Sequence, residues 1–163
     1  MSSLIALAVS VGVLAVVATW FFFLGTVAAA HLQVWQAFIA WGCHYHSGGK
    51  AQGTLKTVVC MSFGAVVGMA AVLLSAQLGA LGDFAAPVAV GLGAAVICLA
   101  SKIPLLATIP ASVYGFASIA GLILLGNGMT ATKALVPTIL SIVVGAAFGF
   151  VSEAVTGLLA KKR

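Results

Sequence analysis

Charge is what this sequence has least of. Only 6% of its 163 residues are charged, and just two of those, Asp83 and Glu153, are acidic. Two isolated carboxylates and no Ser–His pairing of the nucleophilic kind leave almost nothing for acid–base or covalent catalysis, so no enzymatic activity is expected. Cysteine is scarce too. Cys43, Cys60 and Cys98 fall inside apolar runs without paired spacing, which excludes a disulfide framework and predicts free thiols. A soluble domain is about a quarter charged. At 63% hydrophobic, with mean hydropathy +1.28, this chain reads as an integral membrane protein and, by length, one compact unit. The net charge of +5 does not point to nucleic acid, because the cations sit at the ends of apolar runs, where they act as topology signals.

What is abundant is apolar sequence long enough to cross a bilayer. The runs predict an all-α, polytopic protein with six spans, at about 4–26, 29–46, 57–78, 85–100, 103–125 and 134–160. The first has the small residues Ala28, Ala29 and Ala30 of a cleavage site at its end. It lacks a preceding cation and is longer than a signal-peptide core, so it reads as an uncleaved span. Trp20 and Phe21 to Phe23 suit an interface. Six spans place Lys50, Lys56, Lys102, Lys161, Lys162 and Arg163 on one side and only Lys133, with Asp83, on the other. That bias predicts cytoplasmic termini on both ends of the chain.

The third and sixth runs match without gaps at an offset of 81. Thr57, Cys60, Gly64, Gly68, Ala71 and Ser75 correspond to Thr138, Ser141, Gly145, Gly149, Ser152 and Thr156. Both contain GxxxG, which reads as a helix-packing device through Gly64, Gly68, Gly145 and Gly149. The first and fourth match at an offset of 79, and VWQAF at 34–38 stands beside IPASV at 109–113. Three spans per half make the repeat an inverted one, with repeat one at about 1–80 and repeat two at about 81–163. In such folds the solute site lies near the midplane at the junction of the halves, beside broken helices. The second run, short and polar, and the fifth, broken by Pro104 and Pro110, are the candidates for that junction.

The polar content concentrates at 31–49, HLQVWQAFIAWGCHYHSGG. On a helix His31, Trp35, Phe38, Gly42 and Tyr45 form an aromatic stripe, beside Gln33, Gln36, Ala40 and Cys43. Trp35, Gln36 and Phe38, nearer mid-span, are expected to line a solute pathway, while Trp41, Tyr45 and His46 read as interfacial anchors. From the fifth run Thr108, Pro110, Ser112 and Tyr114 are expected to face them, with Gly115 and Ser118 on the same small, polar face. Cys43, His44 and His46 are metal-ligand types. His44 and His46 point to different faces of a helix and His31 falls at the opposite membrane face, so all three histidines are expected at the rims, with no metal and no cofactor. Residues 47–56, SGGKAQGTLK, lack the phosphate-loop pattern GxxxxGK[ST] and follow no strand. Glu153 is the one carboxylate within a span, hence a candidate proton carrier or an acid paired near the interface.

The apolar first run, WxxFxxxxxxxxxGG from Trp35 to Gly49, the Leu55-Lys56 start to the next run, and Tyr114-Gly115 after Pro110 together resemble the small bacterial inner-membrane proteins of domain-of-unknown-function family 1097. The resemblance covers most of the chain and implies no established activity. LLATIP at 105–110 is similar to the L-P-x-x-T-x-P signature of urea transporters, with Pro104 one residue too far from Thr108 for that spacing. The expected function is therefore a channel or facilitator for a small neutral solute of the urea or short-amide type. The alternatives are a proton-coupled transporter using Glu153, or a non-transporting scaffold joined through its GxxxG faces. Membrane lipid, the solute and further copies of the chain in a homo-oligomer are the expected partners.

Overall fold

A computed structural model describes residues 1–126 and 128–160. Asn127 of the 126–133 loop, and Lys161, Lys162 and Arg163 of the charge bias, lie outside the described residues. Every regular element among the described residues is helical. The chain runs through α1 (Ser3–Phe23), the short α2 (Gly25–Ala29), α3 (Val34–His46) and α4 (Lys50–Gln77). A 3₁₀ turn (Gly79–Phe84) leads to α5 (Ala85–Ala100). A second (Pro104–Leu106) leads to α6 (Ile109–Leu125), and α7 (Ala131–Leu159) follows.

Four segments are long and apolar enough to cross a membrane: Ser3–Phe23, Lys50–Gln77, Gly79–Ala100 and Ala131–Leu159. The second and fifth runs do not form full-length helices. In the second, α2 ends at Ala29, His31 takes a left-handed φ of 59°, and helix resumes only at Val34. The resulting α3 has 13 residues, roughly 20 Å. In the fifth, Pro104 and Pro110 each occupy the first turn of a helix, where a missing N–H is harmless, so α6 starts at Ile109 and has 17 residues. The chain before each short helix is pinned by a side chain one-third of the way along a long one. Ser141 Oγ accepts the Gln33 N–H (2.9 Å), and Cys60 Sγ donates to the Leu105 carbonyl (3.4 Å).

The two long helices form the centre. α4 packs against α6, α5 and α7, and α7 packs against α3, α1 and α4. Their buried faces use the same positions. Thr57, Cys60, Met61, Gly64, Ala65 and Gly68 of α4 are buried, as are Thr138, Ser141, Ile142, Gly145, Ala146 and Gly149 of α7, each 81 residues on. Ala6, Ser10 and Ala18 of α1 correspond to Ala85, Ala89 and Ile97 of α5 at 79. Gln36, Ala37, Ala40, Cys43 and His44 of α3 correspond to Ala111, Ser112, Gly115, Ser118 and Ile119 of α6 at 75.

The close approaches repeat in the same way. A Cβ on Gly64 would overlap the Ser112 carbonyl, and one on Gly145 would overlap the Ala37 carbonyl. Gly68 lies against Ile119, and Gly149 against His44. Backbone-on-backbone contact of this kind is what small residues permit where lipid supplies no hydrophobic drive between helices. The contacts also give direction. Gln33, Ala37 and His44 meet Ser141, Gly145 and Glu153 in ascending order, so α3 runs alongside α7 in the same sense. Leu105, Ser112 and Ile119 meet Cys60, Gly64 and Gly68, so α6 runs likewise along α4. The outward faces carry Leu4, Val16, Trp20, Phe23, Phe84, Leu99 and Leu124, a surface suited to lipid.

Candidate functional site

Where α3, α4, α6 and α7 meet, several polar side chains are buried among the apolar core of Ala40, Met61, Ala65, Ala111, Ile119 and Ile142. Gln36 is fully buried, and its Nε2 donates to the Ser118 carbonyl (2.9 Å) and the Thr138 hydroxyl (3.1 Å), tying α3 to α6 and α7. No protein group bonds Gln36 Oε1, nor the buried hydroxyls of Thr57, Ser112 and Ser118. Thr57 has only the weakly bonding Cys43 thiol beside it. Hydroxyls in apolar helices usually turn back to a carbonyl three or four residues earlier. Ser75, Ser141, Ser152 and Thr156 do so, whereas the three orphaned ones do not. The seam repeats in each half. Cys43 beside Thr57 stands 75 and 81 residues before Ser118 and Thr138.

The residues expected on a pathway divide. Gln36 and Ser112 are in the seam. Trp35 lies over Gly121, donates to Gln33 Oε1 (3.3 Å), and walls a recess of about 400 Å³ with His31, Gln33, Leu122, Leu125 and Gly126. Phe38 and Pro110 are exposed on the outside of the protomer, which removes them from any internal wall. Phe38 instead begins an aromatic ladder, stacking on Trp41, which stacks on Phe148 (5.7 and 5.6 Å between centroids). Thr108 stands at the start of α6 without a capping bond from its side chain, and Tyr114 is half-buried with its ring edge-on to His46.

The histidines divide as well. His31 and His46 are exposed, but His44, also expected at a rim, is completely buried, because α3 sets its ring against Gly149 of α7. Its Nε2 lies 2.9 Å from Glu153 Oε2 and its Nδ1 lies 3.1 Å from Thr54 Oγ1. The Glu153 carboxylate also accepts the backbone N–H of Lys50 (2.6 Å). There it serves as the acceptor at the N-terminus of α4, where an anion is favoured by the helix dipole. Gly49, at φ 66°, passes so close that a Cβ would stand 2.8 and 2.9 Å from the two carboxylate oxygens. One residue earlier, Ser152 Oγ donates to the Gly149 carbonyl (2.8 Å) and accepts from Trp41 Nε1 (2.9 Å) and Tyr45 Oη (2.7 Å).

Sequence reasoning missed Thr54, Thr57, Thr138 and Ser152 as interior polar groups. The repeat had placed Thr57, Thr138 and Ser152 on packing stripes, which was the available signal. Among the described residues no three metal-ligating side chains converge.

The model of a family described as protein of unknown function, DUF1097, matches residues 8–157. The chain belongs to that family. No curated protein and no solved structure matches it. The match runs from within α1 to within α7, so the polar seam and the His44–Glu153 contact both lie inside the DUF1097 region.

Proposed function

We propose that this protein is a facilitator for a small neutral solute of the urea or short-amide type, in the bacterial inner membrane. It is built from two inverted three-helix repeats that cross six times, with both termini cytoplasmic. The matching buried positions at offsets of 81, 79 and 75 support the repeat. The shared directions of α3 with α7 and of α6 with α4 are those that alternation requires of second and sixth, and of third and fifth, crossings. Two short helices, each preceded by a pinned break in the α-helical run, are the discontinuous elements that such folds place at their solute site.

One observation carries the reading: four buried polar side-chain oxygens on the seam, of Gln36, Thr57, Ser112 and Ser118, have no hydrogen-bond partner in the protein stronger than the Cys43 thiol beside Thr57. Each such group costs about 1–3 kcal/mol while unpaired. The Gln36 carbonyl accepts, and the hydroxyls of Thr57, Ser112 and Ser118 both donate and accept, which suits the N–H and C=O groups of an amide. No Asp, Glu, Lys or Arg lies between 57 and 71, 108 and 119, or 138 and 152, so an ion gains no counter-charge there. Weak, repeated contacts are what conduction needs.

Proteoliposomes should swell faster in inward urea or acetamide gradients than empty ones. Gln36→Leu, reconstituted to the same density, should lose most of that gain. Unchanged swelling across a panel of neutral solutes overturns the proposal.

A further inference from the structure

The contacts around His44 form a chain that can be counted. Thr54 Oγ1 lies 3.0 Å from the Lys50 carbonyl, which only accepts. The same Oγ1 lies 3.1 Å from His44 Nδ1, and His44 Nε2 lies 2.9 Å from Glu153 Oε2. Three hydrogen bonds in series need three hydrogens. The threonine hydroxyl supplies one and a neutral imidazole supplies one. The third has no source in the ordinary protonation states of these groups.

We propose that His44, Thr54 and Glu153 form a binding site for one proton taken from water, and that the geometry described here is its loaded state. Loaded, Thr54 donates to the Lys50 carbonyl, Nδ1–H donates to Thr54, and Nε2–H donates to the carboxylate, giving an imidazolium–carboxylate pair. Unloaded, the Thr54 hydroxyl rotates to donate to Nδ1 and gives up the carbonyl, while Nε2–H still faces Glu153. Loading transfers one proton from hydronium to the pair and leaves one water. The way in is Glu153, which is one-third exposed (32%) beside a cavity of about 230 Å³ lined by Lys50, Phe150, Ala154 and Gly157, whereas His44 is sealed.

Every element packed around His44 fits a single-proton site. From α4, Lys50 presents its backbone N–H to the carboxylate while its side chain is exposed. From α7, Glu153 is the facing acid. On α3, Tyr45 stands edge-on to the ring at 5.2 Å, and Cys43 is the neighbouring thiol. Asp83, the other acid, lies past the far end of α4. The second half shows that helix packing does not require this trio. The positions equivalent to His44, Thr54 and Glu153 are Ile119, Leu135 and Val72. The same fold is built there from apolar residues, so the polar set answers to something other than packing. The inference goes beyond the solute pathway and does not depend on it.

The test is the nitrogen-15 spectrum of histidine-labelled protein in lipid nanodiscs at neutral pH, with His31→Gln and His46→Gln assigning the rim signals. Wild type should show both His44 nitrogens carrying hydrogen. Thr54→Val removes the middle bond and with it the need for a third hydrogen, so His44 should revert to the neutral Nε2–H form; Thr54→Ser should keep both. A wild-type His44 that is neutral, whether or not Thr54→Val folds, overturns the proposal, as does a doubly protonated ring in a folded Thr54→Val.

Discussion

Gly64→Ala tests the central packing most directly. The added methyl would overlap the Ser112 carbonyl oxygen and stand 2.6 and 2.9 Å from the Ser112 carbonyl carbon and Cα. Carbon atoms pack best about 3.5–4.0 Å apart. The obstructing atoms belong to the helical backbone, so no rotamer change relieves them, and α4 and α6 must separate. Separation also loosens the reciprocal contact, in which Gly115 lies on the Met61 carbonyl. Overpacking typically costs about 1–3 kcal/mol, and rigid neighbours put this case near the upper end. For a chain of this size about 3 kcal/mol lowers the melting temperature by roughly 6–12 °C. Gly145→Ala, against the Ala37 carbonyl, should cost about the same. Gly12→Ala and Gly91→Ala, which meet nothing within 4 Å, should be neutral or gain up to about 1 kcal/mol of helix propensity. Thermal unfolding in detergent, followed by a thiol-reactive dye, reports the exposure of the buried Cys43 and Cys60; the background carries Cys98→Ser because that thiol is already exposed. A Gly64→Ala protein that melts within about 1 °C of its parent, or a Gly12→Ala protein that falls as far as Gly64→Ala, refutes the reasoning.

The same assay bears on the aromatic anchor. Ser152→Ala leaves the Trp41 N–H buried without an acceptor, at about 1–3 kcal/mol, and should lower the melting temperature by several degrees; Tyr45→Phe added to it should cost little more, because their shared bond is already gone. Orientation is testable in intact cells. A membrane-impermeant maleimide should label Asp83→Cys and spare Lys102→Cys in a cysteine-free background, and the opposite pattern overturns the proposed orientation, with both termini cytoplasmic.

Much of the fold could be read without coordinates because its determinants are local. Apolar runs between cations mark helices, and GAVVG and GAAFG mark where backbones touch. The register of 34–38 beside 109–113 coincides with the register in which Ala37 and Ser112 sit on Gly145 and Gly64. The candidate site was harder to read. Gln36 and Ser112 stood out as polar residues in mid-run and are indeed interior. Phe38 was grouped with Gln36 because it is nearer mid-span, and Pro110 with Ser112 because it breaks the run; neither signal gives the side on which the neighbouring helices lie. His44 looked like a rim residue because it is near a helix end. It is interior because Gly149 lets its ring sit against α7.

Composition and run length by themselves determined a membrane-type, all-helical chain, and the stripes that match at an offset of 81 fall largely on positions buried in both α4 and α7. Those properties follow from transfer free energies and helical periodicity, which act along a single segment. The short second run and the prolines of the fifth marked where helix breaks, but only tertiary structure decided how the chain before α3 and α6 is held, by Ser141 and Cys60. It also decided which polar groups are paired. Gln36 reaches residues 82 and 102 positions away, and His44 meets a carboxylate 109 positions away. A hydrogen bond is set by distances between atoms on different helices, and sequence spacing carries no information about those until the helices have packed.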